Sequence, residues 1–434
     1  MERIMKLADA SAEQIKTYPN VTGKDKLKRT LKQTLLGQKQ APLDAHSWPN
    51  ALLGEGLLAA FEATGKKTYL DTVISYLESW KSVGYRINYV DNLMNGSLAL
   101  WIEELLEGKA TELYTEAEKA KIGALCGAAA DACAAWAKGA KKTAEGILCY
   151  REHHPNWIFA DAVGMVSPFL CRYGTVRKDE EALELGILQI DAFLKHGMDK
   201  RTGLPYHGYD EATGVKYGII GWGRACGWLM KGLAESLVWI PSRRKEKRWL
   251  RQTFWKLKDS AARYQRPDGG FSWQLQAVDG PADVSAGAMI GNALWTTMQR
   301  SETKPDTVKF QNALADALDI SINGGAVYNC SGECRGFAEY PQIYGSYPWG
   351  TGSVLRFLAN QEMAPALVVE EAADAESEAP ESAALAGAPA EGAAEEGAAA
   401  KPKKKHNNRR RYHHNGNKGG NNGGTADGNR RSEE

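Results

Sequence analysis

The start of the chain lacks any apolar run long enough to enter a bilayer. The opening, MERIMKLADASAEQIK, is broken by charge throughout, so no secretory leader is expected from it. The most apolar early stretch, ALLGEGLLAAF at 51–61, contains Glu55 and falls short of the roughly 20 residues that a membrane helix needs. An excess of one charge is missing too. Lys and Arg total 54 against 53 Asp and Glu, a formal charge of +1, so no strong global field draws the protein to nucleic acid or membrane. The seven cysteines are odd in number and irregularly spaced, without a CxxC pair. Cys330 and Cys334 bracket a Ser-Gly-Glu turn, but no second ligand pair accompanies them. Reduced thiols in a cytoplasmic protein are the expectation.

Signatures of phosphate, dinucleotide and metal chemistry are also lacking. There is no Walker loop, HExxH, EF-hand loop or GxSxG elbow. GWGRACG has the wrong glycine spacing for a dinucleotide fingerprint, and no strand precedes it. The doublet His153–His154 has no carboxylates clustered beside it, so neither metal nor organic cofactor is predicted.

What is present is helical periodicity. Apolar residues recur at spacings of three and four, which predicts helices near 3–17, 24–38, 49–64, 67–81, 93–107, 115–138, 158–173, 179–196, 225–239, 246–263, 285–299 and 306–320. A short helix follows Gly352. The loops between them are rich in Gly and aromatics, as in GYRINYVDN (84–92), GLPYHGYDEATGVKYGIIGWG (203–223) and RPDGGFSWQ (266–274). About a dozen helices joined in this way fit antiparallel pairs arranged in a ring, with function where the loops converge at one mouth. Beyond residue 362 the composition changes. Residues 364–400 carry nine acidic groups and no basic one, and 401–434 are basic and Gly/Asn-rich. A barrel domain at 1–362 and a disordered tail at 363–434 are therefore expected, because the tail buries too little apolar surface to offset ordering. Contact of its basic block with RNA or another polyanion is the less favoured reading; a solvated tail is preferred. No oligomeric state follows from the sequence.

Two acids stand where a pocket could hold them. Asp91 in NYVDNLMNG and Asp161 in HHPNWIFADAVGM each lie near the start of a helix, where capping is the default role for Asp. Trp157, Ile158, Phe159, Ala162 and Val163 surround Asp161 in sequence, so burial is expected to discourage its ionisation, with Asp91 pushing the same way. A partly protonated carboxyl near neutral pH suits a general acid. Downstream, LPYHGYDEATG and IIGWGRACGW supply His207, Trp222, Arg224 and Trp228. Indole faces stack on sugar rings and a guanidinium fork pairs with carboxylates, a combination suited to a charged sugar. The plainer alternative has Trp228 packing inward and Arg224 capping a neighbouring helix. Trp48 in HSWPN serves equally as pocket wall or core.

From about residue 5 to 362 the chain resembles the unsaturated rhamnogalacturonyl hydrolases of glycoside hydrolase family 105, related to the unsaturated glucuronyl hydrolases of family 88. YVDNLMNG with Asp91, NWIFADAVGM with Asp161 and Met165, GLPYHGYDEATG with His207, and WGRACGW with Trp222, Arg224 and Trp228 carry it, in that order. Three positions depart from the usual pattern: Phe159 stands where Trp is frequent, Ala225 and Cys226 where Gly and Asn are common, and DVSAGAM (283–289) where a Glu-containing version is frequent. The resemblance implies an (α/α)6 toroidal barrel acting without cofactor on an unsaturated uronyl oligosaccharide. It implies further that Asp161 protonates C4 of the unsaturated sugar and activates water towards C5. Asp91 would hold ring hydroxyls and help set the pKa of Asp161, while His207, Arg224 and the tryptophans position the sugar. An epimerase or isomerase of similar fold would need paired histidines, and only His207 is persuasively placed. A non-catalytic carbohydrate-binding protein would have no need of both acids.

Overall fold

The computed structural model describes residues 1–19, 44–298, 305–334 and 336–364. The helix expected at 24–38 and the tail from residue 365 onward lie outside the described residues. Six helices with mainly apolar sequences form an inner ring: α2 (Trp48–Thr64), α4 (Met94–Glu107), α6 (Ala160–Val176), α8 (Gly223–Trp239), α10 (Val284–Met298) and α12 (Pro348–Met363). Each packs on the next, and α12 closes the ring against α2. Outside them lie α1 (Glu2–Thr17), α3 (Lys67–Ser82), α5 (Glu116–Gly139), α7 (Glu180–His196), α9 (Lys245–Ala262) and α11 (Pro305–Ile320), each set against an inner partner. This is the (α/α)6 barrel that the resemblance implies, with the antiparallel pairs in a ring that the pattern of helices predicts.

Sequence decides which ring a helix joins. Residues 49–61 of α2 are all buried, since a helix apolar on every side is stable only when surrounded. Helix α9, KEKRWLRQTFWKLKDSAA, buries Leu250, Phe254, Leu257 and Ala261 along one stripe and turns its charges to solvent, Lys258 excepted. Local signals fix the ends. Thr115 and Glu118 form a reciprocal capping box at the start of α5, and Gly65 ends α2 in the left-handed conformation, φ 69°. Glycines let the inner helices approach closely: a Cβ on Gly56 would lie 2.7 Å from the Gly352 carbonyl oxygen, inside any normal contact.

Two boundaries differ from expectation. Residues 157–159 form a strand, β1 (Trp157–Phe159), and α6 starts only at Ala160. The helix expected after Gly352 begins at Pro348 and runs for 16 residues, because proline suits the first turn of a helix. Strand β1 pairs antiparallel with β2 (Gly208–Asp210), which pairs with β3 (Lys216–Tyr217). In that small sheet Phe159 opposes Gly208, and Ala160 N–H donates to the His207 carbonyl at 2.9 Å. The sheet therefore brings His207 beside the first turn of α6. A second pairing, β6 (Cys330–Ser331) with β7 (Tyr344–Gly345), ties the loop between α11 and α12 over the same end; a two-residue hairpin, β4 (Ile322–Asn323) and β5 (Ala326–Val327), precedes it.

Candidate active site

The N-terminal turns of the inner helices meet at one end of the ring. A chamber of about 40 Å³ there is lined by Trp48, Asp161, Met165, His207, Trp222, Arg224 and Trp228. Seven of the eight residues singled out in the sequence thus share one compartment. Tyr150, Arg151, Phe159, Glu333, Cys334 and Gly336 complete its wall. Asp91 does not line it.

Asp161 lies in the first turn of α6, and its Oδ2 approaches His207 Nε2 at 3.2 Å. The contact lacks hydrogen-bond alignment. On the far side of the imidazole, Nδ1 meets the Tyr340 hydroxyl at 2.8 Å. That hydroxyl oxygen also accepts the Ile219 N–H at 3.2 Å, leaving its proton free to point at Nδ1. A neutral His207 then carries its own proton on Nε2, facing Asp161. Rings fix the imidazole in place: Trp222 at 4.4 Å, with Phe337 at 5.3 Å and Phe159 at 5.4 Å edge-on. Phe159, where an indole is common, packs face to face on Phe337 at 4.2 Å.

Asp91 occupies a short 3-10 turn (Val90–Leu93) just ahead of α4. Burial, and then the charge of Asp44, raise its carboxyl from the ordinary 3.8 to about 7, against backbone N–H groups led by that of Trp48. Among the described residues, one of its oxygens, Oδ1, is buried without a partner. Asp44 is anchored by the side-chain amides of Asn88 and Asn92, at 2.9 and 3.0 Å. The buried phenol of Tyr150 is pushed well up by burial, then by Asp91 and then by Asp161, so one ring senses both acids.

Arg224 has work within the protein. It is 3% exposed, and its Nη1 lies 3.6 Å from Asp283 Oδ2. It donates to the Ser331 carbonyl at 2.8 Å and the Gly332 carbonyl at 2.7 Å, which holds the β6–β7 loop on the ring. Its guanidinium sits 4.9 Å from the Trp222 ring and 5.8 Å from Trp349. Trp48 contacts both Trp228 and Trp349, at 6.0 and 5.0 Å, so it is pocket wall and core at once. His154 stacks on Trp157 at 3.7 Å. None of the seven cysteines is in a disulfide.

Tyr340, Asp44, Asp283 and Tyr150 escape a reading of the sequence. Tyr340 meets a partner 133 residues away, and no motif marks that distance. DVSAGAM drew notice for its unusual form, but nothing local shows that its aspartate pairs with Arg224.

A double helical ring with acids gathered at one mouth puts the chain among glycosidases of the helical-barrel type. It belongs to Glycosyl Hydrolase Family 88, matched over residues 23–364. It is 26% identical over 329 residues to the unsaturated rhamnogalacturonyl hydrolase YesR of Bacillus subtilis, covering 73% of this chain and 89% of that protein. Among solved structures it is similar to a possible family 105 member from Salmonella enterica serovar Paratyphi A, with TM-score 0.66, 15% identity and 83% and 93% of the two chains covered. The unsaturated glucuronyl hydrolase of Bacillus sp. GL1 aligns with TM-score 0.59 at 17% identity, covering 82% and 96%. Among the described residues no helix is long and apolar enough to cross a membrane.

Proposed function

We propose that the chain removes a Δ4,5-unsaturated uronic acid, preferentially unsaturated galacturonic acid, from the non-reducing end of lyase-generated oligosaccharides such as a rhamnogalacturonan disaccharide. The observation that carries this reading is the contact of Asp161 with His207 inside an indole-walled chamber. In the proposed step the Asp161 carboxyl gives its proton to C4 of the enol ether while water adds at C5. The proton lost by that water returns to the Asp161 carboxylate. The C5 hemiketal so formed opens to a ketone, and the acetal carbon then releases the aglycone as an alcohol. One water is consumed overall, and no metal or organic cofactor is called on.

The other residues have supporting tasks in this scheme. Trp48, Trp222, Trp228 and Met165 offer faces to the sugar, and Arg224 keeps Trp222 and the β6–β7 loop in register. The positive ends of converging inner helices favour an anionic ligand, which supports a uronate. Asp91 lies outside the chamber wall and acts on the site electrostatically, since the buried Tyr150 phenol senses it together with Asp161. The relative YesR, by its name an unsaturated rhamnogalacturonyl hydrolase, supports the choice of sugar. A cytoplasmic site of action is proposed with it, on the seven free thiols.

The direct test is loss of the ultraviolet absorbance of the conjugated double bond when lyase-generated disaccharides are added. Decay with the rhamnogalacturonan product is expected. Unchanged absorbance across rhamnogalacturonan-, glycosaminoglycan- and ulvan-derived products would overturn the reading.

Tyr340 acts in this scheme through His207 and is a positioning residue. Tyr340→Phe removes one hydrogen bond to a neutral group, so kcat should fall by about three- to tenfold with KM little changed. A kcat within twofold of the parent's, or a loss carried by KM instead, would show that the hydroxyl merely fills space.

A further inference from the structure

At the opposite end of the ring, the C-terminal halves of the inner helices enclose a cavity of about 550 Å³. That is more than ten times the volume of the chamber at Asp161, and it falls in the size range of ligand pockets, about 300–1,000 Å³. The two spaces share no lining residue. In the wall of the larger one four charges pair in a closed circuit: Lys231 lies 2.9 Å from Glu55 and 2.6 Å from Glu235, and Arg356 lies 2.7 Å from each of the same carboxylates.

Three indoles, Trp101, Trp239 and Trp295, line the lower cavity. The guanidinium of Arg172 lies 4.8 Å from the Trp239 ring, and that of Arg356 lies 5.3 Å from Trp101. Every cation in the wall already has a carboxylate. Arg172 meets Glu104 at 2.6 Å, Lys109 meets Glu62 at 3.2 Å, and Arg356 is held by the four-charge circuit. An anionic ligand would have to displace one of these partners. A purely apolar ligand would take water from the wall carboxylates Glu55, Glu62, Glu104 and Glu235 without supplying a donor in its place.

We propose that this second mouth binds an uncharged, hydroxyl-rich ligand, a neutral mono- or disaccharide. Ring hydroxyls donate to these carboxylates, while the C–H faces of a pyranose lie against the indoles. None of the residues named here lines the chamber at Asp161, so the site stands whatever sugar that chamber takes.

The test uses the full chain, with L-rhamnose, D-galactose and maltose as neutral probes and D-galacturonate as the charged one, followed by saturation-transfer NMR. Saturable binding of at least one neutral sugar is expected, at least tenfold tighter than that of galacturonate. Trp239→Ala should abolish it and leave turnover at the other mouth within twofold. Trp48→Ala, in the upper chamber, should leave it intact. Glu104→Ala, a partly exposed position that does not threaten folding, should weaken it by about three- to tenfold. The proposal is overturned if no neutral sugar binds, if galacturonate binds as tightly, or if Trp48→Ala removes the signal. It is equally overturned if a folded Glu104→Ala protein binds as the parent does.

Discussion

Replacing Asp161 by Asn is expected to lower kcat on an unsaturated disaccharide by about 10²–10⁴-fold, the contribution of a positioned acid or base. Asn has the shape of Asp and keeps a carbonyl towards His207 Nε2, but it has no acidic proton to deliver to carbon. The side chain is 13% exposed, and among the described residues its one ion-pair contact is His207, at 3.2 Å. Little of the fold therefore depends on its charge, and the melting temperature should stay within about 2 °C, in line with a change of under roughly 1 kcal/mol. KM should move less than threefold, since the indoles and Met165 are untouched. That split, a lost kcat with retained KM, is what removal of a group acting only in the transition state produces. It is read by following decay of the conjugated chromophore over a range of substrate concentrations. Retention of more than a tenth of the parent kcat would remove Asp161 from the role of acid.

Much of the architecture was legible from periodicity, because each helix of the ring is set by its own apolar pattern. Which end of the ring gathers the candidate residues was legible as well: Asp161, Arg224 and Trp228 fall in the first two turns of inner helices, and those turns converge. What remained hidden depends on partners far apart along the chain. The apolar neighbours of Asp161 pointed to it as the acid held neutral by burial. In the fold Asp91 is raised by its own burial and then by the charge of Asp44, a neighbour that no local pattern shows. Arg224 was legible as a guanidinium near indoles. That Asp283 and the Ser331 and Gly332 carbonyls occupy it was not, since that pairing is made by the β6–β7 loop. Phe337 and Tyr340 lie on the same loop, in a stretch with no periodicity to place them.

The position of Asp91 carries a second large effect, on stability rather than rate. Its carboxyl titrates near 7 in the folded protein and near 4 when unfolded. Between those values the folded chain holds a proton that the unfolded chain has released, so stability falls as pH rises through this window. Above about pH 7 the whole cost is present. At roughly 1.4 kcal/mol for each pH unit, it approaches about 4 kcal/mol. Asp91→Asn supplies a neutral side chain of the same shape that still accepts from Trp48 N–H. The variant should match the parent at pH 4, then melt several degrees higher at pH 8, with a flatter dependence of melting temperature on pH. Its kcat should nonetheless drop by at least tenfold if the carboxyl serves the reaction. Thermal melts at pH 4, 6 and 8 beside an activity assay decide the matter. A variant less stable than the parent at pH 8 would mean that the charge is compensated in the fold. A stabilised and fully active one would strip Asp91 of any catalytic part. Stability gained together with activity lost is the signature of a carboxylate kept at an energetic cost for function, and a merely structural acid would not produce it.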